Sequence, residues 1–309
     1  MSGPIVRTVL GDIEPDQLGL TLPHEHVIQD HFPIWGDADE TLTDEGEMTR
    51  ELGVALDAGV RAIGELSTAD TNHDLDALAR ISTASGVHVI GSTGWFYGQH
   101  LPAIVRDGAV EELADIMERD ILDGTSAQGT RAGVVGEIGW SANHMLDPER
   151  KVFEAAALVH KRTGVPVYTH TTDGTMAAEQ VDFLSNRGVD PSRIAVSHMD
   201  TNATLDYQLE VARRGAYLSF DRISNPDQLS DEVRLDLLLR LLDAGYVGQV
   251  FLCHDTARRS QLAVNGGRGY GHVVTRFVPT LRERGVDEAS IRTMTVLNPS
   301  RYFAFAPRG

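Results

Sequence analysis

The chain has 309 residues, which suits one large α/β barrel with extensions better than two small domains. Against 27 Lys and Arg stand 45 Asp and Glu, a formal net charge of -18 that would repel a phosphate backbone and excludes nucleic acid as the expected partner. A single cysteine, Cys253, rules out an internal disulfide framework; with no secretory start and no apolar run of the roughly 18 residues needed to span a bilayer, the expected home is a reducing cytoplasm without a membrane partner.

Taken in chain order, eight short Val- and Ile-rich runs read as strands: "GLTLPHEHVI", "VRAIGELST", "VHVIGSTGW", "AGVVGEIGW", "VPVYTHTT", "IAVSHMD", "AYLSFDR" and "QVFLCHD". Each is followed by a segment with helical spacing. In "DPERKVFEAAALVHKRTG", for example, Asp147 is placed to cap, Pro148 fits the first turn and Gly164 ends the helix. Eight strand-helix units predict a closed (β/α)8 barrel over residues 1–309, a single domain with a short N-terminal extension; a doubly wound open sheet is the alternative.

The imidazoles and carboxylates of these strands cluster at their C-terminal ends. His24 and His26 end the first strand on one face, since strand side chains alternate. Glu137 ends the fourth, His170 the fifth, His198 the sixth and Asp255 the eighth. In a barrel that rim carries the chemistry. Four imidazoles and two carboxylates exceed the needs of one catalytic zinc but suit two divalent metal ions, with Glu137 as the bridge. The donors admit zinc, manganese, cobalt or iron, and Zn2+ is the expected pair. A water shared by both ions would attack the substrate, and Asp255 would take its proton as general base.

The stretches "TVLGDIEPDQLGLTLPHEHV", "AGVVGEIGWS", "HTTDGT", "SHMD" and "CHDTARRSQLAVNGGRGYGHVV" resemble the phosphotriesterase family of the amidohydrolase superfamily, over essentially the whole chain. The resemblance implies a binuclear metal hydrolase in which His24, His26 and Asp255 hold the buried metal, His170 and His198 the more exposed one, and Glu137 bridges. Organophosphate-degrading members and related lactonases bridge with a carbon dioxide-modified lysine. The glutamate in "GEIGW" is similar instead to the phosphotriesterase homology and phosphotriesterase-related proteins. A second relay aspartate of the organophosphate-degrading members is replaced here by Thr201, with Asp200 the nearest carboxylate.

For the substrate, Arg222 in "SFDRISN" is a candidate to polarise a carbonyl or hold a carboxylate, a rim ion pair with an acid such as Asp221 being the alternative. Arg258, Arg259 and Arg268, in the long loop after the last strand, are candidates for an anionic tail. Trp95, Phe96 and Tyr97 are candidates for an apolar wall. His31, His73, His100, His144, His160 and His272 read as surface or loop residues, His254 as buried and hydrogen-bonded, and Cys253 as packed rather than reactive. The expected activity is hydrolysis of an ester or lactone, then of an N-acyl amide, then of a phosphotriester; a non-catalytic binding protein is the alternative class. The expected partner is a small molecule, anionic if the basic loop selects it, and a homodimer is one candidate assembly.

Overall fold

The structure, a computed structural model, describes residues 3–225 and 228–307. Eight barrel strands follow in chain order: β1 Thr21–Glu25, β2 Ala62–Glu65, β3 His88–Ile90 with its continuation Ser92–Thr93, β4 Val134–Trp140, β5 Val167–Thr171, β6 Ile194–Val196, β7 Tyr217–Phe220 and β8 Val250–Leu252. Each pairs in parallel with the next. The third strand breaks at Gly91, where a Cβ would stand 2.5 Å from the Leu75 side chain; its first half pairs with β2 and its second with β4. Between the last strand and the first, the Asp255 amide donates to the His24 carbonyl at 3.2 Å. The fold is the expected (β/α)8 barrel.

Helices follow the strands because their apolar stripes must cover the sheet. The longest, Asp147–Thr163, begins one residue earlier than the sequence suggests: Leu146 is its cap, and its amide donates to Glu149 at 2.6 Å. Gly164 closes that helix at φ 83°, as expected. The chain's two ends meet, since Ile5–Thr8 pairs antiparallel with both Gly11–Ile13 and Ala304–Phe305.

Inside the barrel, Tyr168, Tyr217 and Phe251 pack with Tyr302 and Phe303 from the C-terminal helix, with Tyr217 and Phe251 stacked at 4.6 Å. This aromatic filling is the floor of the site, for the Tyr168 ring lies 5.3 Å from that of His24. Among the described residues no helix is long and apolar enough to cross a membrane.

Candidate metal centre

His24 and His170 sit within β1 and β5, and Glu137 within β4, so their backbones are fixed by the ladder. His26 lies just past β1, and alternation holds: its ring centroid is 5.4 Å from that of His24. His198 and Asp255 arrive differently. Strands β6 and β8 stop at Val196 and Leu252, and the two residues turn inward in the left-handed region, at φ 58° and 50°. Such a conformation is uncommon for residues other than glycine and is held here by the surroundings. For His198 the holder is Asp221, whose Oδ1 accepts both the His198 amide at 2.9 Å and its Nδ1 at 2.8 Å.

Two donor clusters meet at Glu137. Its Oε1 lies 3.3 Å from both His24 Nε2 and His26 Nε2, while Asp255 Oδ1 lies 3.0 Å from His26 Nε2 and 3.7 Å from His24 Nε2. Its Oε2 lies 2.9 Å from His170 Nδ1 and 4.0 Å from His198 Nε2, and those two nitrogens are 3.1 Å apart. Each oxygen of one carboxylate therefore serves a different cluster. The six residues are all buried. His24 Nε2 has no hydrogen-bond partner although it points into this convergence of lone pairs. A buried acceptor left in that state, beside donor groups of the imidazole and carboxylate type, fits a metal cation.

A second ring of contacts fixes the imidazoles. Asp221 Oδ2 accepts from His24 Nδ1 at 2.9 Å, so Asp221, like Glu137, gives one oxygen to a histidine of each cluster. His26 Nδ1 lies 3.0 Å from Ser67 Oγ, which donates to Glu65 at 2.6 Å. Such outer partners orient metal-ligating histidines and raise their basicity. Behind Asp221, the buried Asp200 accepts from the Asp221 and Arg222 amides at 3.3 and 2.9 Å and pairs with the fully buried Arg234 at 3.0 Å. Thr201 lines the pocket and donates to the His198 carbonyl, whereas Asp200 faces away from it.

The imidazoles and carboxylates of the cluster shift one another's protonation. Burial pushes His24 and His26 down, but Glu137 and Asp255 outweigh it and raise His24 well above its usual range and His26 to about 9. Burial raises Glu137 and Asp255; His24 and His170 overcome this for Glu137, and Arg222 and His24 for Asp255, so both carboxyls end well below their usual range. His198 goes the other way, lowered to about 4 by burial and by Arg222. A metal ion and a proton compete for such nitrogens.

A pocket of about 230 Å³ opens over these donors. One side is aromatic: Trp35, His31, Phe96 and Tyr97, with Tyr97 stacked on His170 at 4.7 Å. The other side carries Arg222 and Arg258. Arg222 pairs with Asp255 at 2.9 Å rather than with its neighbour Asp221, which is turned to the histidines. Trp95 is packed in the core outside the pocket lining, and Phe96 takes the wall position next to Tyr97. Arg268 is also outside the lining, and donates to the His254 carbonyl at 3.2 Å. Arg259 pairs with Glu47 at 2.8 Å.

His31 lies in a loop, as expected, but is buried in the pocket wall, stacked on Phe96 at 5.5 Å; His160 is neither on the surface nor in a loop but buried within the helix Asp147–Thr163, 2.8 Å from the Val165 carbonyl. Both burials have one cause: helix and loop positions carry no two-residue alternation from which burial could be read. His254 is buried and bonded to Glu25 at 2.9 Å, and Cys253 is buried with its thiol pushed well up by burial, as expected of packed residues. The sequence reading missed Asp221 as a support for two histidines. Its only signal was its place directly before Arg222, on the opposite face.

A family model, the Phosphotriesterase family, matches residues 4–303. The chain is 35% identical over 288 residues to the phosphotriesterase homology protein of Escherichia coli (strain K12), covering 93% of this chain and 99% of that protein. The crystal structure of that protein, complexed with phosphate in its active site, superposes with a TM-score of 0.91. An N-acetyltaurine hydrolase of Salmo salar is 31% identical over 342 residues, 97% of this chain and 98% of that one. A lactonase from Listeria monocytogenes is 26% identical with a TM-score of 0.92, covering 98% and 99% of the two chains. With the barrel, the convergent donors and these full-length matches together, this chain belongs to the phosphotriesterase family and is a metal-dependent hydrolase.

Proposed function

We propose that the chain holds two divalent ions, zinc in the first instance, and hydrolyses a small carbonyl substrate, an ester, a lactone or an N-acyl amide. The observation that carries this reading is the division of the Glu137 carboxylate, Oε1 at 3.3 Å from His24 and His26 and Oε2 at 2.9 Å from His170. His24, His26 and Asp255 would hold one ion, His170 and His198 the other, and Glu137 would serve both. When bound, the ions supply Lewis acidity and a water of lowered pKa.

The protein's own groups do the rest. Asp255, aligned by Arg222 at 2.9 Å and His26 at 3.0 Å, takes the proton released as water oxygen adds to the carbonyl carbon. The proton then passes to the departing alcohol or amine as its bond to carbon breaks. Arg222 lines the pocket and supplies a planar donor for the substrate carbonyl or a carboxylate. Phe96, Tyr97 and Trp35 pack the acyl portion and exclude bulk water.

The N-acyl amide reading gains support from the relatives named N-acetyltaurine hydrolases, and the lactone reading from the lactonase. The test is a panel on the zinc-loaded enzyme: an aryl ester, lactones, N-acyl amino and sulfonic acids, and paraoxon. Turnover of one carbonyl class above the triester is expected. A triester preferred by a wide margin would overturn the carbonyl reading, and no turnover with both metals bound would favour a binding protein.

A further inference from the structure

The two donor clusters differ in the charge that faces them. In the first, His24 Nε2 lies 3.3 Å from Glu137 Oε1 and 3.7 Å from Asp255 Oδ1, and His26 Nε2 lies 3.3 and 3.0 Å from the same two oxygens. Two carboxylates address that pair of nitrogens. In the second, His198 Nε2 lies 4.0 Å from both Glu137 Oε2 and Asp255 Oδ2, while Arg222 Nη2 is closer, at 3.3 Å. The Asp255 oxygen on this side is itself paired with Arg222 Nη1 at 2.9 Å.

His198 Nδ1 is 2.8 Å from Asp221 Oδ1, which can only accept, so Nδ1 carries the hydrogen and Nε2 keeps the lone pair. Arg222 Nε, 3.2 Å from Nδ1, therefore lies against the ring without an acceptor there. A guanidinium has donors alone, so Nη2 addresses the same Nε2 lone pair that an ion at this cluster would need.

We propose that Arg222 governs occupancy of the second cluster: its guanidinium competes with the exposed ion for His198 Nε2, so the site of His24, His26 and Asp255 fills first, and that of His170 and His198 fills only as Arg222 turns away. The proposal rests on the two-ion reading above and assigns the order of filling. Two effects act in the same direction. One lone pair serves one cation at a time, and a positive charge in contact with a divalent ion's ligand repels that ion. The other nitrogens of His24 and His26 face Asp221 and Ser67, with no such competitor among the described residues.

Arg222 has room to turn. Its side chain is 22% exposed, and it lines both the metal pocket and an adjoining cavity of about 220 Å³ that Arg258 also lines. Its backbone is held, since its amide donates to the buried Asp200 at 2.9 Å, so the movement is one of side-chain rotamers. A guanidinium that has left His198 is the one presented to a substrate carbonyl. Filling of the second site and substrate contact are thereby linked, each favouring the other.

The experiment is a zinc titration of metal-free protein by calorimetry, with elemental analysis of protein equilibrated in zinc buffers. The wild type should take up two ions in two steps, the first tighter, and His170→Asn should remove the weaker step while keeping the tighter. Arg222→Met should tighten the weaker step by about 10- to 100-fold, the scale on which groups beside metal ligands alter affinity, and move the tighter step less. Arg222→Gln, also uncharged, should do the same. A residue that merely propped the site would weaken binding when lost. Two equal steps in the wild type, or a weaker step that both uncharged variants leave unchanged or weaken, overturns the role of Arg222 while the two-ion reading stands. A single ion in the wild type and in both variants brings down the two-ion reading and this proposal with it.

Discussion

Asp221 accepts from the Nδ1 of His24 at 2.9 Å, although 197 positions separate the two, and its second oxygen does the same for His198 at 2.8 Å. One buried carboxylate thereby sets the ring orientation of a histidine in each donor cluster. Asp221→Asn leaves only one acceptor oxygen, so one imidazole loses its support. Metal affinity should fall about 10- to 100-fold, read by titration in a metal-buffered solution. Unchanged affinity at both sites would show that the strands alone orient the rings.

Glu137 is a carboxylate without need of carbon dioxide. Metal-free protein should therefore recover two ions per chain equally well with and without bicarbonate, checked by elemental analysis. A strong bicarbonate requirement would contradict the assignment. Glu137→Ala removes the group common to both clusters and should reduce retention of both ions.

Asp255 lies between Arg222 and His26, which hold it ionised. Asp255→Asn keeps an oxygen for coordination but cannot accept a proton. Hydrolysis should drop by about 10² to 10⁴ while a substantial part of the metal is retained; a variant with wild-type kcat would remove Asp255 from proton transfer.

Arg234 and Asp200 are both fully buried and pair at 3.0 Å behind the site. Removing one partner strands the other's charge. Arg234→Met should destabilise by about 3–5 kcal/mol in urea titrations, and adding Asp200→Ala should return part of that loss. An additive double variant would mean that the pair is not coupled.

His272 is half-buried, and its imidazole is lowered to about 4 by burial and then by the neighbouring His254. Its folded value lies below the unfolded one of about 6.5, so between the two the unfolded chain binds the extra proton. Stability from this group is present above that window and lost as pH falls through it. The urea midpoint should decline between pH 7 and 5, and His272→Gln should lessen the decline; an identical decline in the variant would clear His272 of any part in it.

Strand-end chemistry was legible in the sequence because a strand's period is two and a parallel barrel puts every C-terminal end on one rim. That sufficed to name His24, His26, Glu137, His170, His198 and Asp255 as neighbours, and the barrel with them. What reached beyond the strands was not legible. His198 and Asp255 enter through left-handed backbone that alternation does not describe, and His31 joins the pocket from a loop segment. Arg258, Arg259 and Arg268 look alike as a basic run, yet only tertiary packing sent one to the cavity, one to Glu47 and one to a backbone carbonyl. A loop side chain goes where its charge finds a partner, and Glu40, Glu47 and His254 stand beside this loop only once the barrel has closed.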